Sequence, residues 1–298
     1  MWFKNLQLFR VPKNWDLTAD NLAAQLKQNA FQPAGSFALE SRGWIPPRGD
    51  DQLVYALNRQ WLIALGVEQK LLPAAVIRQT TKERAAQLEA KVGRKLGRKE
   101  LRDLKEDTIG ELLPRAFSRY RATFAWIDPL AGWLVIDAAS PKKLDEVVES
   151  LRRSLDEFPV TPLKTQVSPA AAMTEWLLSA DGPSGFSVDQ DCELRSQLDE
   201  KSTVRYARHP LDILEIRNHI AQGKQPSRLA LTWQDRLSFV LTDKLEVKRV
   251  TFLDAVKSEA GADQDSHEEQ LDADFALMTG QLGHFLPDLI AALGGEAE

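Results

Sequence analysis

A chain of 298 residues, 43% of them hydrophobic, can bury a sizeable core and divides into two or so structural units. Its net charge of −5 taken alone argues against a polyanionic partner, and the single cysteine, Cys192, excludes an intramolecular disulfide and a cysteine-rich zinc site. No apolar run reaches the roughly 18 residues of a membrane span, and Met1-Trp2-Phe3-Lys4-Asn5 lacks the layout of a secretion signal, so a cytoplasmic protein with no membrane partner and a buried, inert Cys192 is expected.

In chain order, Leu6 and Leu8 alternate as in a strand, and Thr18 caps a helix with Leu22, Leu26 and Ala30 at four-residue spacing. Residues 31–51, rich in Pro, Gly and Ser and containing Gly43-Trp44-Ile45-Pro46-Pro47, read as a connection. Leu53 to Val67 then predicts one or two strands, closed by Pro73. Between residues 74 and 113 there is no proline, and Leu88, Val92, Leu96, Leu101 and Leu104 sit in a highly charged background. That pattern predicts helices projecting into solvent, with Gly93 and Gly97 marking the turn of a helical hairpin.

Arg121 to Asp128 and Trp133 to Ala138 predict a β-hairpin, and Ser140-Pro141 predicts the capped start of a helix through Leu155. A proline-containing connection, Pro159 to Pro169, places a boundary near residue 165. Beyond it come a short helix around Trp176, a Gly-Pro-Ser-Gly loop at 182–185 and a meander over 228–233, 236–241 and 245–252. A last helix spans 275–293, interrupted at Pro287. Hairpin-then-helix occurs in both halves, which hints at a duplicated unit. The divisions are 1–75 and 116–165 for a central unit, 76–115 for the projecting tip, and 166–298 for a second unit with an acidic last segment.

Recognisable catalytic chemistry is sparse. The histidines His209, His219, His267 and His284 lie in no metal-ligand spacing, and there is no phosphate loop, dinucleotide fingerprint or nucleophile elbow. The acidic stretch 263–274 lacks the glycine and closing glutamate of a calcium loop and reads as a solvated face. Paired carboxylates such as Asp272 and Asp274 could in principle hold Mg²⁺ for a nuclease, although a metal-dependent nuclease normally needs a wider constellation. The expectation is a non-enzyme with no cofactor.

Charge is unevenly distributed. Between residues 91 and 105 seven cations (Lys91, Arg94, Lys95, Arg98, Lys99, Arg102, Lys105) face two acids, whereas residues 254–298 carry a balance of −10. Cations along one projecting element, followed by Arg115, Arg119 and Arg121, suit phosphate binding, although a solvated helix face has the same composition. Without a zinc finger, stacking-platform motif or helix-turn-helix, contacts with DNA would go to the backbone with little sequence preference. Arg205, Arg208 and Lys224 are the candidates in the second half.

Several segments together, Trp2-Phe3-Lys4-Asn5-Leu6, Gly43-Trp44-Ile45-Pro46-Pro47, Leu112 to Arg119, Thr174-Glu175-Trp176, Asp272 to Phe275 with Leu277 to Gly280, and Leu293 to Ala297, resemble the recombination-associated RdgC family from end to end. The resemblance implies an α+β protein with antiparallel β-sheets, packed helices and a projecting helical tip. It further implies a ring-shaped homodimer that surrounds double-stranded DNA without reading sequence, works at the nucleoid in recombination and replication, and limits RecA. By resemblance the tip falls on Arg94 and its neighbours, the subunit gate on Phe117, and a basic position of the second half on Arg208. Two rival readings are a module acting directly on RecA and a metal-dependent nuclease.

Overall fold

The computed structural model describes residues 1–12, 15–179, 181–196, 202–211, 213–254, 256 and 267–297. Its first half runs β1 (Asn5–Arg10), α1 (Ala19–Lys27), β2 (Glu40–Ile45), β3 (Tyr55–Leu57), β4 (Gln60–Lys70), α2 (Ala74–Val92), α3 (Arg98–Leu112), β5 (Ser118–Asp128), β6 (Trp133–Asp137) and α4 (Pro141–Ser154). The second half runs β7 (Thr161–Pro162), α5 (Pro169–Ser179), β8 (Phe186–Ser196), β9 (Thr203–Tyr206), α6 (Ile213–Ala221), β10 (Lys224–Trp233), β11 (Leu237–Thr242), β12 (Val247–Phe252) and α7 (His267–Ala292). The architecture is α+β, built on one large antiparallel sheet in the order β2-β4-β5-β6-β1-β12-β11-β10-β8-β9, with β3 beside β4 and β7 beside β1.

The two halves meet at β1. One edge pairs with β6 from Leu6↔Asp137 to Arg10↔Trp133; the other pairs with β12 at Asn5↔Lys248 and Leu6↔Val247, then with β7 at Phe9↔Pro162. Leu6 and Leu8, the alternating pair of the sequence, face the larger of two cores. The smaller core lies on the opposite face, where Leu22 and Leu26 of α1 and Val147 and Leu151 of α4 cover Ile63, Leu65, Ile127 and Ile136. In the larger core α5 and α7 pack on β10–β12 and on the back of β4 and β5. Phe285 makes edge-on contacts with Trp233 (5.7 Å) and Phe239 (4.9 Å). Each such side chain contributes roughly 1.5–3 kcal/mol by leaving water.

Local signals explain much of this. Thr18 caps α1 as expected, accepting from the Asn21 N–H at 3.2 Å, although Ala30 falls beyond the helix in a bridge to Trp44. The 31–51 stretch is more than a connection, because it contains β2. Gly43 makes that strand possible, since a Cβ there would overlap the Phe31 backbone, and Trp44 is buried with its indole N–H on Ser154 Oγ at 2.8 Å. Pro141 opens α4 as expected, but the Ser140 side chain makes no capping hydrogen bond. Pro287 does not interrupt the last helix, which runs through it to Ala292. The neighbours Leu286, Leu289 and Ile290 are buried, and their packing offsets the roughly 3 kcal/mol that an interior proline costs.

Residues 293–297 turn back onto the sheet. Gly294 (φ +79°) and Gly295 (φ +99°) take left-handed conformations, after which Gln166 N–H donates to the Gly295 carbonyl (2.9 Å) and Ala297 N–H to that of Lys164 (3.0 Å). Arg10 grips Glu296 with two N–H donors at 2.6 and 2.8 Å while its guanidinium lies 3.5 Å from the Trp133 ring centroid. A Cβ at Gly294 would sit 2.7 Å from Val167 Cγ2. Gly294→Ala is therefore expected to lower unfolding stability by about 1–3 kcal/mol, read as an earlier urea midpoint at unchanged m; an unchanged midpoint would show that this clasp is not under constraint.

Candidate nucleic-acid interface

The α2–α3 hairpin leaves the sheet between β4 and β5. Only Ala85 of α2 and Thr108 of α3 are buried, and Leu88, Val92 and Leu101 are exposed, so little apolar packing holds it together. Gly93 (φ +72°) ends α2 in the left-handed region, its N–H on the Glu89 carbonyl at 2.9 Å, and Gly97 precedes α3, as their spacing predicts. Two carboxylates shape the turn. Glu89 accepts from the Leu96 N–H (3.0 Å) and pairs with Lys95 (3.4 Å). Glu100 accepts from Arg94 at 2.9 and 2.8 Å and from the Gly97 N–H at 2.7 Å.

These contacts sort the cations that composition lumps together. Arg94, Lys95 and Arg102 each have an acidic partner, Arg102 through Glu106 at 3.1 Å. Lys91, Arg98, Lys99 and Lys105 are exposed and have no ion pair among the described residues. Arg98, Arg102 and Lys105 recur at helical spacing along one face of α3. At the foot of the hairpin Arg115 and Arg119 are exposed, with Arg119 donating to Gln69 Oε1 at 2.9 Å. Arg121 is unsuited to phosphate contact: its pair with Glu146 at 2.6 Å is largely buried under α4. Phe117 is 83% exposed, which excludes a buried-core role for it in the isolated chain.

A second basic region lies on the sheet, far along the chain from the hairpin. Arg205↔Glu193, Glu193↔Arg228 and Arg228↔Thr242 are directly opposed across β9, β8, β10 and β11, so these four share one face. Val240↔Lys248↔Asn5 continue that face into β12 and β1. The opposite face buries Leu194, Leu229, Leu241 and Val247, whereas this one is open to solvent at Arg205, Arg228 and Arg249. A cup of about 130 Å³ lies among Arg205, Arg228, Lys248 and Arg249. Lys248 and Arg249 pair with acids, Glu246 at 2.8 Å and Asp191 at 3.9 Å. Arg205 and Arg228 make no ion pair among the described residues.

Arg208 follows β9 with φ +51°, its backbone N–H on Asp191 Oδ1 at 2.8 Å, and Lys224 opens β10, four residues before Arg228. The structure thus places Arg205 within the cup, Arg208 close to it through Asp191, and Lys224 at the sheet end. Arg228, Lys248 and Arg249 were missed by sequence reasoning, because only the register of the strands brings these separate cations together.

The carboxylates of Asp272 and Asp274 are otherwise engaged. Asp272 accepts from the Tyr55 hydroxyl at 2.6 Å and pairs with Arg48 at 3.3 Å, while Asp274 meets the Met1 ammonium. Among the described residues no group of three or more His, Cys, Asp or Glu side chains is arranged to hold a metal ion. Cys192 is buried, and desolvation pushes its thiol up to about 12, so it stays protonated and unreactive. Among the described residues no helix is long and apolar enough to cross a membrane.

With this geometry in place, the profile of the family described as "Putative exonuclease, RdgC" matches residues 1–296. The chain belongs to the RdgC family. It is 53% identical over 299 residues to the Recombination-associated protein RdgC of Dechloromonas aromatica (strain RCB), covering 99% of this chain and 98% of that one. The protein of the same description from Janthinobacterium sp. (strain Marseille) is 52% identical over 298 residues, covering 100% and 99%, and that of Herminiimonas arsenicoxydans 51% over 296, covering 99% of each. Matches of this length put the present chain among recombination-associated proteins and leave both the exonuclease description and the ring to be weighed on its own residues.

The tip turn is acid-sensitive in a defined direction. The hydrogen bonds from Arg94, then that from the Gly97 N–H, hold the Glu100 carboxyl at about 2 instead of 4.5. A depressed folded value means the stabilisation is complete above about pH 4.5 and is lost as pH falls through 2. Titration of the Gly97 amide resonance should therefore stay flat from pH 7 to 5 and move below pH 4. A midpoint near 4.5 would mean that the Arg94–Glu100 pair does not form in solution.

Proposed function

We propose that this protein binds duplex DNA without sequence preference, encircles it as a ring-shaped homodimer and thereby limits RecA-mediated recombination at the nucleoid. The observation that carries the reading is the set Lys91, Arg98, Lys99 and Lys105: four exposed cations with no acidic partner among the described residues, on a projecting hairpin in a chain whose net charge is −5. A long basic element of this kind releases counterions from a polyanion, while the negative remainder discourages indiscriminate adhesion. The open strand face around Arg205 and Arg228 offers a second set of phosphate contacts, with Arg208 and Lys224 at its margins. Backbone contacts from flexible Lys and Arg side chains carry no base readout, which fits a protein acting along any duplex.

The exposed Phe117 beside Arg115 and Arg119 supports the subunit contact, since aromatic and arginine side chains are enriched at interface cores. No step in this reading is catalytic: the protein acts by occupying DNA that RecA also needs. A direct contact with RecA would appear as binding to the recombinase without DNA, and a nuclease as Mg²⁺-dependent strand cleavage lost on changing Asp272 and Asp274. The first is not required here, and the second is opposed by the engagement of both carboxylates with Tyr55, Arg48 and the Met1 ammonium.

Changing Lys91, Arg98, Lys99 and Lys105 together to Ala should weaken binding to every duplex by a similar factor and flatten the log–log salt dependence by roughly three to four units, at about 0.9 per phosphate contact. The dimer should persist in sedimentation. Unchanged affinity and slope would make the hairpin a solvated face and leave the strand face as the binding surface.

A further inference from the structure

Six of the exposed large apolar side chains among the described residues gather at one end of β2, β4 and β5: Phe37 (77%), Leu39 (57%), Leu71 (45%), Val76 (44%), Phe117 (83%) and Tyr120 (64%). The backbone joins them. Lys70 N–H donates to the Leu39 carbonyl at 2.8 Å and Leu71 N–H to that of Phe117 at 2.7 Å. These strand ends extend past both cores, so apolar packing does little to fix them.

What fixes them is Glu68, a carboxylate only 3% exposed. Its Oε2 accepts from the Ala34 N–H at 2.7 Å and its Oε1 from Ser118 Oγ at 2.6 Å, and Lys70 Nζ lies 3.8 Å away. The same carboxylate holds the nearby Tyr120 hydroxyl above its ordinary value. One side chain thus ties together the 32–39 loop, the end of β4 and the start of β5, the three segments from which Phe37, Leu39, Leu71 and Phe117 project. Burying a charge is costly unless it is fully partnered, and here every partner belongs to the apolar end.

We infer that Glu68 is the positioning residue of the subunit contact: it pre-orders the apolar strand end around Phe117 for docking against the same surface of a second copy. This rests on the proposed dimer. An apolar surface ordered before it docks loses less entropy on binding than one that must be immobilised. A second copy is favoured as the occupant by the adjoining row Glu40↔Gln69↔Arg119, which puts an acid on one side of β4, paired within the chain only with the exposed Lys142 at 3.6 Å among the described residues, and a base on the other. A twofold axis along β4 sets Glu40 of each subunit against Arg119 of its mate, the self-complementarity that a twofold interface requires. Arg119 then serves subunit pairing in preference to phosphate.

The test compares Glu68→Gln, Ser118→Ala and Phe117→Ala in the full chain, measuring the dimer dissociation constant by sedimentation and amide hydrogen exchange residue by residue. Glu68→Gln keeps the shape but removes the charge and replaces one acceptor oxygen with an NH₂ group, so the Ala34 N–H and the Ser118 hydroxyl can no longer both donate to this side chain. It should raise the dissociation constant on the order of tenfold and speed exchange at Ala34 and Leu71 while Ile63 and Val135, in the two cores, keep wild-type protection. Ser118→Ala should give a smaller change in the same direction, and it serves alone if Glu68→Gln does not fold. Wild-type dimerisation by both, with Phe117→Ala weakened, would overturn the role of Glu68 and leave the dimer reading standing. Faster exchange everywhere by one factor would overturn it too, as the mark of general destabilisation. Wild-type dimerisation by Phe117→Ala would instead remove the dimer contact on which the inference stands.

Discussion

The fold depends on β1 being shared. A central strand with both edges paired and apolar side chains on both faces cannot move without breaking hydrogen bonds to β6, β7 and β12 and opening two cores at once. Buried backbone groups left unpaired are costly, so this six-residue strand sets how the two half-sheets meet. Everything with a bearing on function hangs from that junction: the hairpin rises from the far ends of β4 and β5, and the open basic face lies on β8 to β12. The return of residues 293–297 onto the 164–167 segment, with Glu296 gripped by Arg10 at the end of β1, reinforces the same strand from its other side.

Electrostatics on this frame is a matter of which acids are already engaged. Glu89, Glu100 and Glu106 satisfy Lys95, Arg94 and Arg102, and those pairs shape the tip more than they stabilise it, since exposed ion pairs contribute little in water. The cations left over are the ones able to exchange counterions for phosphates. The same accounting separates Arg121, committed to Glu146 beneath α4, from its neighbour Arg119 on the surface. A net charge of −5 and a polyanionic partner are therefore compatible, because the excess acid falls in other stretches of the sequence than residues 91–105 and salt screens exposed charges beyond a Debye length of roughly 8 Å.

Features governed by neighbours along the chain can be read from the amino-acid sequence alone. The alternation of Leu6 and Leu8, the Thr18 cap, the hairpin turn at Gly93 and Gly97 and the Pro141 start of α4 each depend on a few adjacent residues. Features governed by distant partners cannot be read that way. β2 is masked by Gly43 and Pro46-Pro47, and only the Phe31 backbone against Gly43 explains why a glycine stands in a strand. Pro287 reads as a break until the buried faces of Leu286 and Ile290 are known. The hairpin cations are legible as a group from composition, but their division into paired and free is not, and the cluster of Arg228, Lys248 and Arg249 requires the register of four strands. Glu68 carries no sequence signal, because its partners Ala34 and Ser118 lie 34 and 50 residues away.

The most direct test of encirclement is topological. Protein bound to a covalently closed circular duplex and to the same duplex linearised should be challenged with salt high enough to abolish backbone contacts, and the retained protein measured. A closed ring predicts retention on the circle and loss from the linear form by sliding off its ends, with release from the circle on cutting it once. Equal loss from both forms would contradict the ring and reduce the protein to an open, electrostatic binder of DNA.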